Sequence, residues 1–488
     1  MIFSNFYIYS SKFTYKEIGI TYISSLLISF TTKKFRYIFS IFFIFLSLIE
    51  IIYFSFFRGL IQPYHLRVLF SEIDDILDSI YSIFPIIITL STIFMIFIYI
   101  IIKFSKKIKK EYLHINYIFL LILVSLPIYA HLKPYSLSIS PLNFSYLNML
   151  YSLSIATKEK ILKPYINNSK FKPYKIEKID SKEKNIIVIM GESLSYKRLH
   201  LFGYDNNNTP NLDRLKNSKN FFYTKAISSG VNTPVAVTSF FTLKREPKNS
   251  SILVTEKTNL IKLANSNGYN TAWFSMQNEG MSISSVLKYA NHIKLRKDYK
   301  KDSYDNELFN DLKDINYSKK NFIVLHFRAN HSPYEKYIPS IFRKSNYNRL
   351  DYFRYKVNSY NDSVLYIDYL LNRIFNFLLS TKKDFKLYFV SDHGERLGYR
   401  DDNYKYGHSE LDFEVAKVPF FLFSNREINL KREITNHYKV GKIILNDLGY
   451  RLINPNNDFT HYYINGLNIV GEAGFLTYTF NNFRWRLF

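Results

Sequence analysis

The chain has 488 residues, with 65 Lys and Arg against 40 Asp and Glu and a formal net charge of +25, and this length can hold more than one domain. It contains no cysteine, which excludes disulfide bonds, thiolate metal sites and cysteine nucleophiles. The positive charge fits either solvated surface lysines or attraction to anionic lipid headgroups and glycolipid phosphates, while the motifs described below argue against nucleic-acid binding.

The first third of the chain is rich in Ile, Phe, Leu and Tyr and contains three stretches that are typical of membrane spans. These are residues 37–57, 83–102 and 115–132, each close to the roughly 20 residues that cross a hydrocarbon core of about 30 Å. A shorter stretch, 18–30, either spans the membrane or lies in its interface. The sequence therefore predicts a transmembrane domain over residues 1–132.

Basic residues give the expected orientation, because Lys and Arg accumulate on the cytoplasmic side of a membrane. Lys33, Lys34 and Arg36 precede the first clear span, and five lysines lie between the second and third, in residues 103–110. The loop 58–82 is then external. Everything after the third span should lie in the periplasm of a bacterium, anchored to its inner membrane.

Carboxylates stand in two notable places in this part of the chain. Glu50 lies inside an apolar span, where a carboxylate has either a function, a polar partner within the helix bundle or a position near the outer face. The external loop carries Glu72, Asp74, Asp75 and Asp78. This acidic segment is either a solvated interfacial helix face or a group that attracts the ammonium of a lipid donor, with or without Glu50.

Residues 133–183 are predicted to form a linker with interfacial character, since prolines interrupt them and aromatic residues suit the headgroup level. From residue 184 the pattern changes to three short apolar runs of the buried-strand type, 185–190, 321–327 and 386–391. Helix-like stretches such as 259–266 lie between them. This alternation predicts a mostly parallel sheet that is covered on both faces.

Polar side chains follow all three of these predicted strands. Glu192 follows the first, His331 follows the second after a short gap, and Asp392 and His393 follow the third. In such sheets the chemistry gathers at the carboxyl ends of the strands, and carboxylate oxygens and imidazole nitrogens bind zinc well. A zinc ion lowers the pKa of a neighbouring hydroxyl and stabilises charge on a transferring phosphoryl group. The residues alone do not identify that hydroxyl.

Several segments, in order along the chain, resemble the phosphoethanolamine transferases that modify lipid A and the lipopolysaccharide core. They are IIVIMGESLSYKRLHLFGYDNNNTPNLDRL (186–215), GVNTPVAVTSFF (230–241), GYNTAWFSMQ (268–277), LHFRANHSPYEKY (325–337), NSYNDSVLYIDYLL (358–371), VSDHGERLG (390–398) and a final GHSE (407–410). The SDHGE motif alone also occurs in sulfatases and lipoteichoic acid synthases, so the ordered set carries the resemblance. It implies a transmembrane helix bundle followed by a periplasmic α/β/α sandwich of the alkaline phosphatase and sulfatase type over residues 184–488.

The resemblance also implies a metal site and a nucleophile. Glu192, Asp392 and His393 would hold the main zinc ion, and Thr233 would be both its fourth ligand and the nucleophile. Zinc-activated Thr233 would take phosphoethanolamine from phosphatidylethanolamine and pass it to lipid A or to the lipopolysaccharide core or glycan. Other hydroxyls in the same segment compete with Thr233 for this role: Ser228, Ser229, Thr238 and Ser239.

By the same resemblance, His331 and His408 would bind the donor phosphate or a second zinc ion. The remaining conspicuous polar residues are expected to be structural, to cap helices or to support the ligands. They are His200, His326, His437, His461, Asp362, Asp368 and Glu395.

The chain departs from many members of the family in two ways: it has no cysteines, and it has fewer than the five membrane spans common there. The smaller number of spans leaves open how the lipid donor is bound. Within the same superfamily, a phosphoglycerol transferase or a lipid phosphodiesterase is the alternative function. A membrane scaffold without catalytic activity would be marked by a broken metal set, and every ligand position is intact in this sequence. Acceptor recognition is expected in the loops 245–255 and 337–350.

Overall fold

The computed structural model describes residues 15–57, 60–63, 66, 73–108, 110–132, 145–158, 171–181, 183–345, 347–408, 410–456, 460–467, 469, 471, 474–480 and 486–487. Contacts divide the chain into two compact units, Met1–Pro164 and Tyr165–Phe488. The boundaries expected from the sequence, 1–132, 133–183 and 184–488, stay predictions.

The first unit is helical in its described part. Its helices are α1 (Tyr15–Phe30), α2 (Lys33–Phe57), α3 (Ile73–Ser105), α4 (Leu113–Leu132) and α5 (Ser145–Lys158). Among the described residues, two segments are long and apolar enough to cross a membrane, Lys33–Ser55 in α2 and Ile87–Ser105 in α3. The third predicted span lies in α4, where the apolar segment is shorter, Leu113–Ser125, and the stretch 18–30 lies in α1.

A polar contact inside this unit involves Glu50 of α2. Its side chain is buried, and Oε1 accepts hydrogen bonds from the backbone N–H of Ile61 at 2.8 Å and from Nδ2 of Asn148 at 3.0 Å. The same Nδ2 donates to the carbonyl of Ile61 at 2.7 Å, and Ser152 Oγ donates to that carbonyl at 3.2 Å. Of the three explanations offered for Glu50, the structure therefore provides the polar partner, which joins α2, the segment 60–63 and α5.

The acidic segment is placed only in part. Asp74, Asp75 and Asp78 belong to α3, so the backbone is helical at these positions. Glu72 lies outside the described residues. The attraction of an ammonium group to this segment stays a prediction.

The second unit contains all the described strands and the remaining helices. The strands are β1 (Lys175–Lys178), β2 (Asn185–Gly191), β3 (Phe221–Ile227), β4 (Asn270–Ser275), β5 (His292–Lys294), β6 (Asn321–His326), β7 (Phe385–Ser391), β8 (Arg396–Leu397), β9 (Tyr406–Gly407), β10 (Lys417–Ser424), β11 (Thr435–Asn436), β12 (Tyr450–Ile453), β13 (Tyr462–Asn465), β14 (Phe475–Tyr478) and β15 (Arg486–Leu487). The helices are α6 (Pro210–Leu215), α7 (Thr233–Thr242), α8 (Ser251–Thr255), α9 (Leu260–Ser266), α10 (Met281–Leu287), α11 (Asn306–Lys313), α12 (Tyr352–Ser380) and α13 (His437–Asp447).

Eight strands form one mixed sheet in the order β11-β3-β10-β7-β2-β6-β4-β5. β10 is antiparallel to both of its neighbours, and all other neighbouring pairs are parallel. The three strands predicted from the sequence are β2, β6 and β7, and they are adjacent at the centre of the sheet. Ile187 of β2 is paired with Ile323 of β6 on one side and with Leu387 of β7 on the other.

Helices cover both faces of this sheet. Alternate residues of a strand point to opposite sides, so the side chains of β2 are divided between two buried clusters. Ile187 and Ile189 belong to a buried cluster with residues of α6, α11 and α12. Ile186, Val188 and Met190 belong to a second cluster with residues of α7, α9, α10 and α13. The expected α/β/α sandwich is confirmed. The sequence of β2 is continuously apolar because the strand is buried on both faces.

The direction of the strands brings the predicted site residues to one edge of the sheet. β2, β3, β6 and β7 run in the same direction, so their carboxyl ends meet there. Glu192 follows β2, Thr233 follows β3, His331 follows β6, and Asp392 and His393 follow β7.

Removal of a core side chain tests the central position of β2. Ile187 is fully buried, so Ile187→Ala should lower the free energy of unfolding by about 2–5 kcal/mol, through lost burial and the cavity left behind. Ile341 is 75% exposed, and Ile341→Ala should change it by less than about 0.5 kcal/mol. Denaturant unfolding of the purified protein followed by tryptophan fluorescence measures both, and equal effects would contradict the assignment of β2 to the core.

Candidate metal centre

Glu192 is fully buried directly after the central strand β2. Its Oε1 accepts a hydrogen bond from Ser193 Oγ at 2.6 Å, and its Oε2 accepts from Thr233 Oγ1 at 3.2 Å and from Gln277 Nε2 at 2.9 Å. Ser193 has a φ of 53°, a left-handed conformation that costs a non-glycine residue of order 1 kcal/mol or more. The backbone thus turns sharply where the strand ends, and three donors fix the carboxylate.

Thr233 is presented by the start of helix α7. Asn232 caps this helix by accepting a hydrogen bond from the N–H of Val235 at 3.0 Å, and Pro234 stands in its first turn, an arrangement favoured at helix N-termini. Thr233 Oγ1 lies 3.2 Å from Glu192 Oε2 and 3.2 Å from His393 Nε2. The helix start therefore brings one hydroxyl into contact with two of the predicted ligands.

Asp392 and His393 complete the cluster from the end of β7. Asp392 Oδ1 accepts from the backbone N–H groups of Ser193 at 3.0 Å and His393 at 2.6 Å. Asp392 Oδ2 is buried and has no hydrogen-bond partner. His393 Nδ1 donates to the carbonyl of Gly394 at 3.0 Å, which leaves the Nε2 lone pair facing Asp392 Oδ2 at 3.3 Å and Glu192 Oε1 at 3.6 Å.

This donor set fits a divalent cation. Glu192, Asp392 and His393 each offer one ligand atom, and these atoms lie within 4.8 Å of one another. A buried carboxylate oxygen without a partner is costly, and Asp392 Oδ2 is such an atom beside a second carboxylate and an imidazole lone pair. Two carboxylates with one imidazole are ligands that zinc accepts, and the hydroxyl of Thr233, the predicted fourth ligand, lies 3.2 Å from Glu192 Oε2 and from His393 Nε2.

The electrostatics of the cluster show how strongly its groups interact. Burial raises the pKa of Asp392 to about 6, and the negative charge of Glu192 adds to this rise. Burial also acts to raise the pKa of Glu192, but the neighbouring imidazoles of His393, His331 and His408 and the hydrogen bond from Ser193 outweigh it and hold that pKa well below the usual range. Two neighbouring carboxylates whose pKa values shift in opposite directions are typical of a site that binds a cation or a proton between them.

His408 lies beside the cluster. Its ring centroid is 4.1 Å from that of His393, and its Nδ1 donates to Glu395 Oε2 at 2.8 Å. Tyr334 OH donates to the other oxygen of Glu395 at 2.8 Å. Burial and the neighbouring His393 lower the pKa of His408, which favours the neutral imidazole, and the donation from Nδ1 leaves the lone pair of that form on Nε2. Glu395 thus supports a histidine, as the sequence led us to expect.

His331 stands in the loop after β6. Its Nδ1 lies 2.8 Å from the carbonyl oxygen of Ser332, and its ring meets that of Tyr337 edge to face at 5.7 Å. It is near enough to Glu192 to lower the pKa of that carboxyl. The roles of His331 and His408 as phosphate or second-zinc ligands stay predictions.

The competing hydroxyls do not share the contacts of Thr233. Ser228 Oγ donates to the backbone carbonyls of Gly230, at 2.8 Å, and Asp392, and Ser229 Oγ lies 3.3 Å from His437 Nδ1. Thr238 and Ser239 are buried further along α7. Among these hydroxyls, the contact to both Glu192 and His393 belongs to Thr233.

Sequence reasoning did not assign a role to Gln277 or Ser193, although both contact Glu192. Gln277 lies two residues after β4, and a polar residue at a strand end was the available signal. The histidines expected to be structural do make local contacts: His200 with Asp213 at 2.7 Å, and His437 with the carbonyl of Ser391 at 2.9 Å.

His437 should make the unfolding free energy depend on pH. Burial lowers its pKa from 6.5 to about 4, so below pH 6.5 the unfolded chain binds a proton that the folded protein excludes. Stability from this group is present above pH 6.5 and is lost as the pH falls towards 4. Between pH 7.5 and pH 5, the wild type should lose about 2 kcal/mol more than His437→Gln, at 1.36 kcal/mol per pKa unit. Equal losses measured by denaturant unfolding would show that His437 is protonated in the fold.

Comparisons with known proteins place this site in a family. Residues 184–447 match the family model described as Sulfatase. The chain is 25% identical over 265 residues to phosphoethanolamine transferase EptA of Helicobacter pylori, covering 51% of this chain and 49% of that protein. It is 23% identical over 356 residues to Kdo(2)-lipid A phosphoethanolamine 7''-transferase of Salmonella typhimurium, covering 65% and 62%. The chain therefore spans about half to three-fifths of the length of these curated relatives.

Two solved structures show the same fold at low identity. The integral membrane protein lipooligosaccharide phosphoethanolamine transferase A (EptA) of Neisseria meningitidis superposes with a TM-score of 0.59 at 14% identity, covering 83% of this chain and 82% of that one. The C-terminal periplasmic domain of EptC from Escherichia coli, in complex with Zn, superposes with a TM-score of 0.52 at 18% identity, covering 64% and 96%. Because the family model covers more than half of the chain and includes all six predicted site residues, this protein belongs to the sulfatase family.

Proposed function

We propose that this protein is a membrane-anchored phosphoethanolamine transferase that moves phosphoethanolamine from phosphatidylethanolamine to lipid A or the lipopolysaccharide core. The observation that carries the proposal is the Thr233 hydroxyl, which lies 3.2 Å from both a carboxylate and an imidazole nitrogen at the carboxyl edge of the sheet. The names of the curated relatives supply the transferred group and the acceptor class.

In the first step Thr233 Oγ1 attacks the phosphorus of the donor. Glu192 Oε2 already accepts the hydrogen bond of this hydroxyl, so its proton has a nearby acceptor as the new O–P bond forms. The P–O bond to diacylglycerol breaks, and its oxygen takes a proton from solvent, so that diacylglycerol leaves as an alcohol. His331 and His408 are assigned to the phosphate oxygens, since both stand beside the cluster.

In the second step a hydroxyl or phosphate of the acceptor attacks the phosphothreonine, and the bond between phosphorus and Thr233 Oγ1 breaks as the new O–P bond forms. Thr233 Oγ1 regains its proton from Glu192, and an attacking hydroxyl loses its proton to solvent. Two displacements through a side chain keep the transferred group from water while one lipid replaces the other. Anchoring by the apolar helices α2 and α3 holds the enzyme at the membrane that contains both lipids, which raises their effective concentration. The lysines at 103–110 support a periplasmic position of the catalytic domain under the positive-inside rule.

The four groups Glu192, Thr233, Asp392 and His393 would hold zinc. Bound there, zinc would lower the pKa of the Thr233 hydroxyl and stabilise charge on the phosphoryl group. The unpartnered Oδ2 of Asp392 and the lone pair of His393 Nε2, which faces both carboxylates, support this assignment. His331 and His408 would hold the donor phosphate or a second ion.

Zinc content tests the ligand set. The purified protein should contain at least one zinc ion, and Asp392→Ala combined with His393→Ala should lose it, because two of the four ligands are gone. Elemental analysis after dialysis against chelator measures this, with His200→Ala as the control because His200 contacts Asp213 away from the cluster. A metal-free wild type, or undiminished zinc in the double variant, would contradict the site.

Covalent trapping tests the nucleophile. Enzyme incubated with phosphatidylethanolamine and no acceptor should gain one phosphoethanolamine on Thr233, detected by peptide mass spectrometry. Thr233→Ala should lose both the adduct and turnover while it keeps the fold, and Thr233→Ser should keep partial activity because the oxygen survives. Adducts on Ser228, Ser229 or Thr238 would move the nucleophile. Acceptor modification without any adduct would show direct transfer.

A further inference from the structure

The side chain of Gln277 contacts the metal-ligand candidate Glu192 without being a ligand candidate itself. Its amide nitrogen lies 2.7 Å from the carbonyl oxygen of Phe327, 2.9 Å from Glu192 Oε2 and 3.1 Å from His326 Nε2. A carbonyl and a carboxylate can only accept hydrogen bonds, so the amide NH₂, and not its oxygen, must face them. The NH₂ group has two hydrogens for these three acceptors, so one hydrogen is shared between two of them. The orientation of this amide is therefore fixed by its surroundings.

His326 and Glu279 stand behind this amide. His326 is the last residue of β6, and its side chain and that of Glu279 are both fully buried. His326 Nδ1 donates to Glu279 Oε1 at 2.8 Å, and Trp273 Nε1 donates to the same oxygen at 3.0 Å. A carboxylate on Nδ1 fixes the imidazole tautomer, so that Nε2 presents a lone pair to Gln277.

From these contacts we propose that Gln277 is a positioning residue for Glu192 and that the Glu279–His326 pair holds Gln277 in its working orientation. The chain of contacts runs from Trp273 through Glu279, His326 and Gln277 to the oxygen of Glu192 that also accepts from Thr233 Oγ1. Gln277 thereby fixes the plane of the Glu192 carboxylate beside the nucleophile. The inference rests on the proposed metal site, and it is independent of the identity of the lipid substrates.

Zinc affinity of the full-length protein in detergent tests the first half of the proposal. Gln277→Met keeps the length of the side chain and removes its donors, and it should raise the zinc dissociation constant about 10- to 100-fold, as loss of a group behind a ligand does. Competition with a chromophoric chelator measures this. Asn278→Ala, at the exposed next residue, is the matched control and should bind zinc as the wild type does.

Two further readouts separate positioning from a general loss of structure. The cobalt-substituted Gln277→Met protein should show a shifted visible absorption spectrum, because the ligand geometry changes. Thermal unfolding of the metal-free variant and of the metal-free wild type should coincide. A wild-type zinc affinity together with a wild-type cobalt spectrum in Gln277→Met would overturn the assignment.

The Glu279 variants test the second half. Glu279→Gln retains an acceptor for His326 Nδ1 and should bind zinc within about threefold of the wild type. Glu279→Leu removes that acceptor and should weaken zinc binding towards the level of Gln277→Met. Its zinc dissociation constant should therefore exceed that of the wild type by up to the 10- to 100-fold typical of such groups. Equal affinities of the two variants would overturn the role of the His326 tautomer. A protein that binds zinc as described and transfers no phosphoethanolamine would contradict the proposed function and leave this inference standing.

Discussion

Burial of two carboxylates next to an imidazole, at the edge where the parallel strands end, is the constraint on which the second unit depends. Glu192 and Asp392 are both fully buried, and buried like charges are unfavourable unless donors or a cation compensate them. The structure supplies part of that compensation through backbone N–H groups on Asp392 and side-chain donors on Glu192. One oxygen of Asp392 is left without a donor, and the proposed cation would supply the compensation that this oxygen lacks. The cap of α7, the left-handed backbone of Ser193 and the amide of Gln277 all position groups around these two carboxylates.

Part of this arrangement could be read from the sequence because of how central parallel strands are built. β2, β6 and β7 are buried on both faces, so each reads as an uninterrupted apolar run, and polar residues that follow such runs meet at one edge. Glu192, Asp392 and His393 were found in this way. Thr233 was not found in this way, because the sequence of β3 is not a continuous apolar run and four other hydroxyl residues lie in the segment that follows it. The family resemblance identified Thr233.

Other features depend on contacts that no local pattern records. Lys417–Ser424 is as apolar as its neighbours, but nothing in its residues shows that it runs against them. Gln277 reaches Glu192 from β4, which is separated from β2 by β6 in the sheet, so the contact exists only once three strands are assembled. For Glu50, the sequence predicted that a carboxylate within an apolar span needs a function or a partner, but it did not identify the partner. In the structure the partners are Asn148 and the backbone of Ile61.

The register of the central strand has a consequence for biosynthesis. The partners of Asn185 at the start of β2 are contributed by residues 136 and 199 positions later, Asn321 and Asp384. Contacts this distant in sequence slow folding, since a long loop must close before they form. As the polypeptide emerges from the ribosome or a translocation channel, Asn185 waits 136 residues for its partner in β6 and 199 residues for its partner beside β7. Over that interval the apolar NIIVIM segment has an unpaired edge, and such edges make incompletely folded chains prone to aggregate.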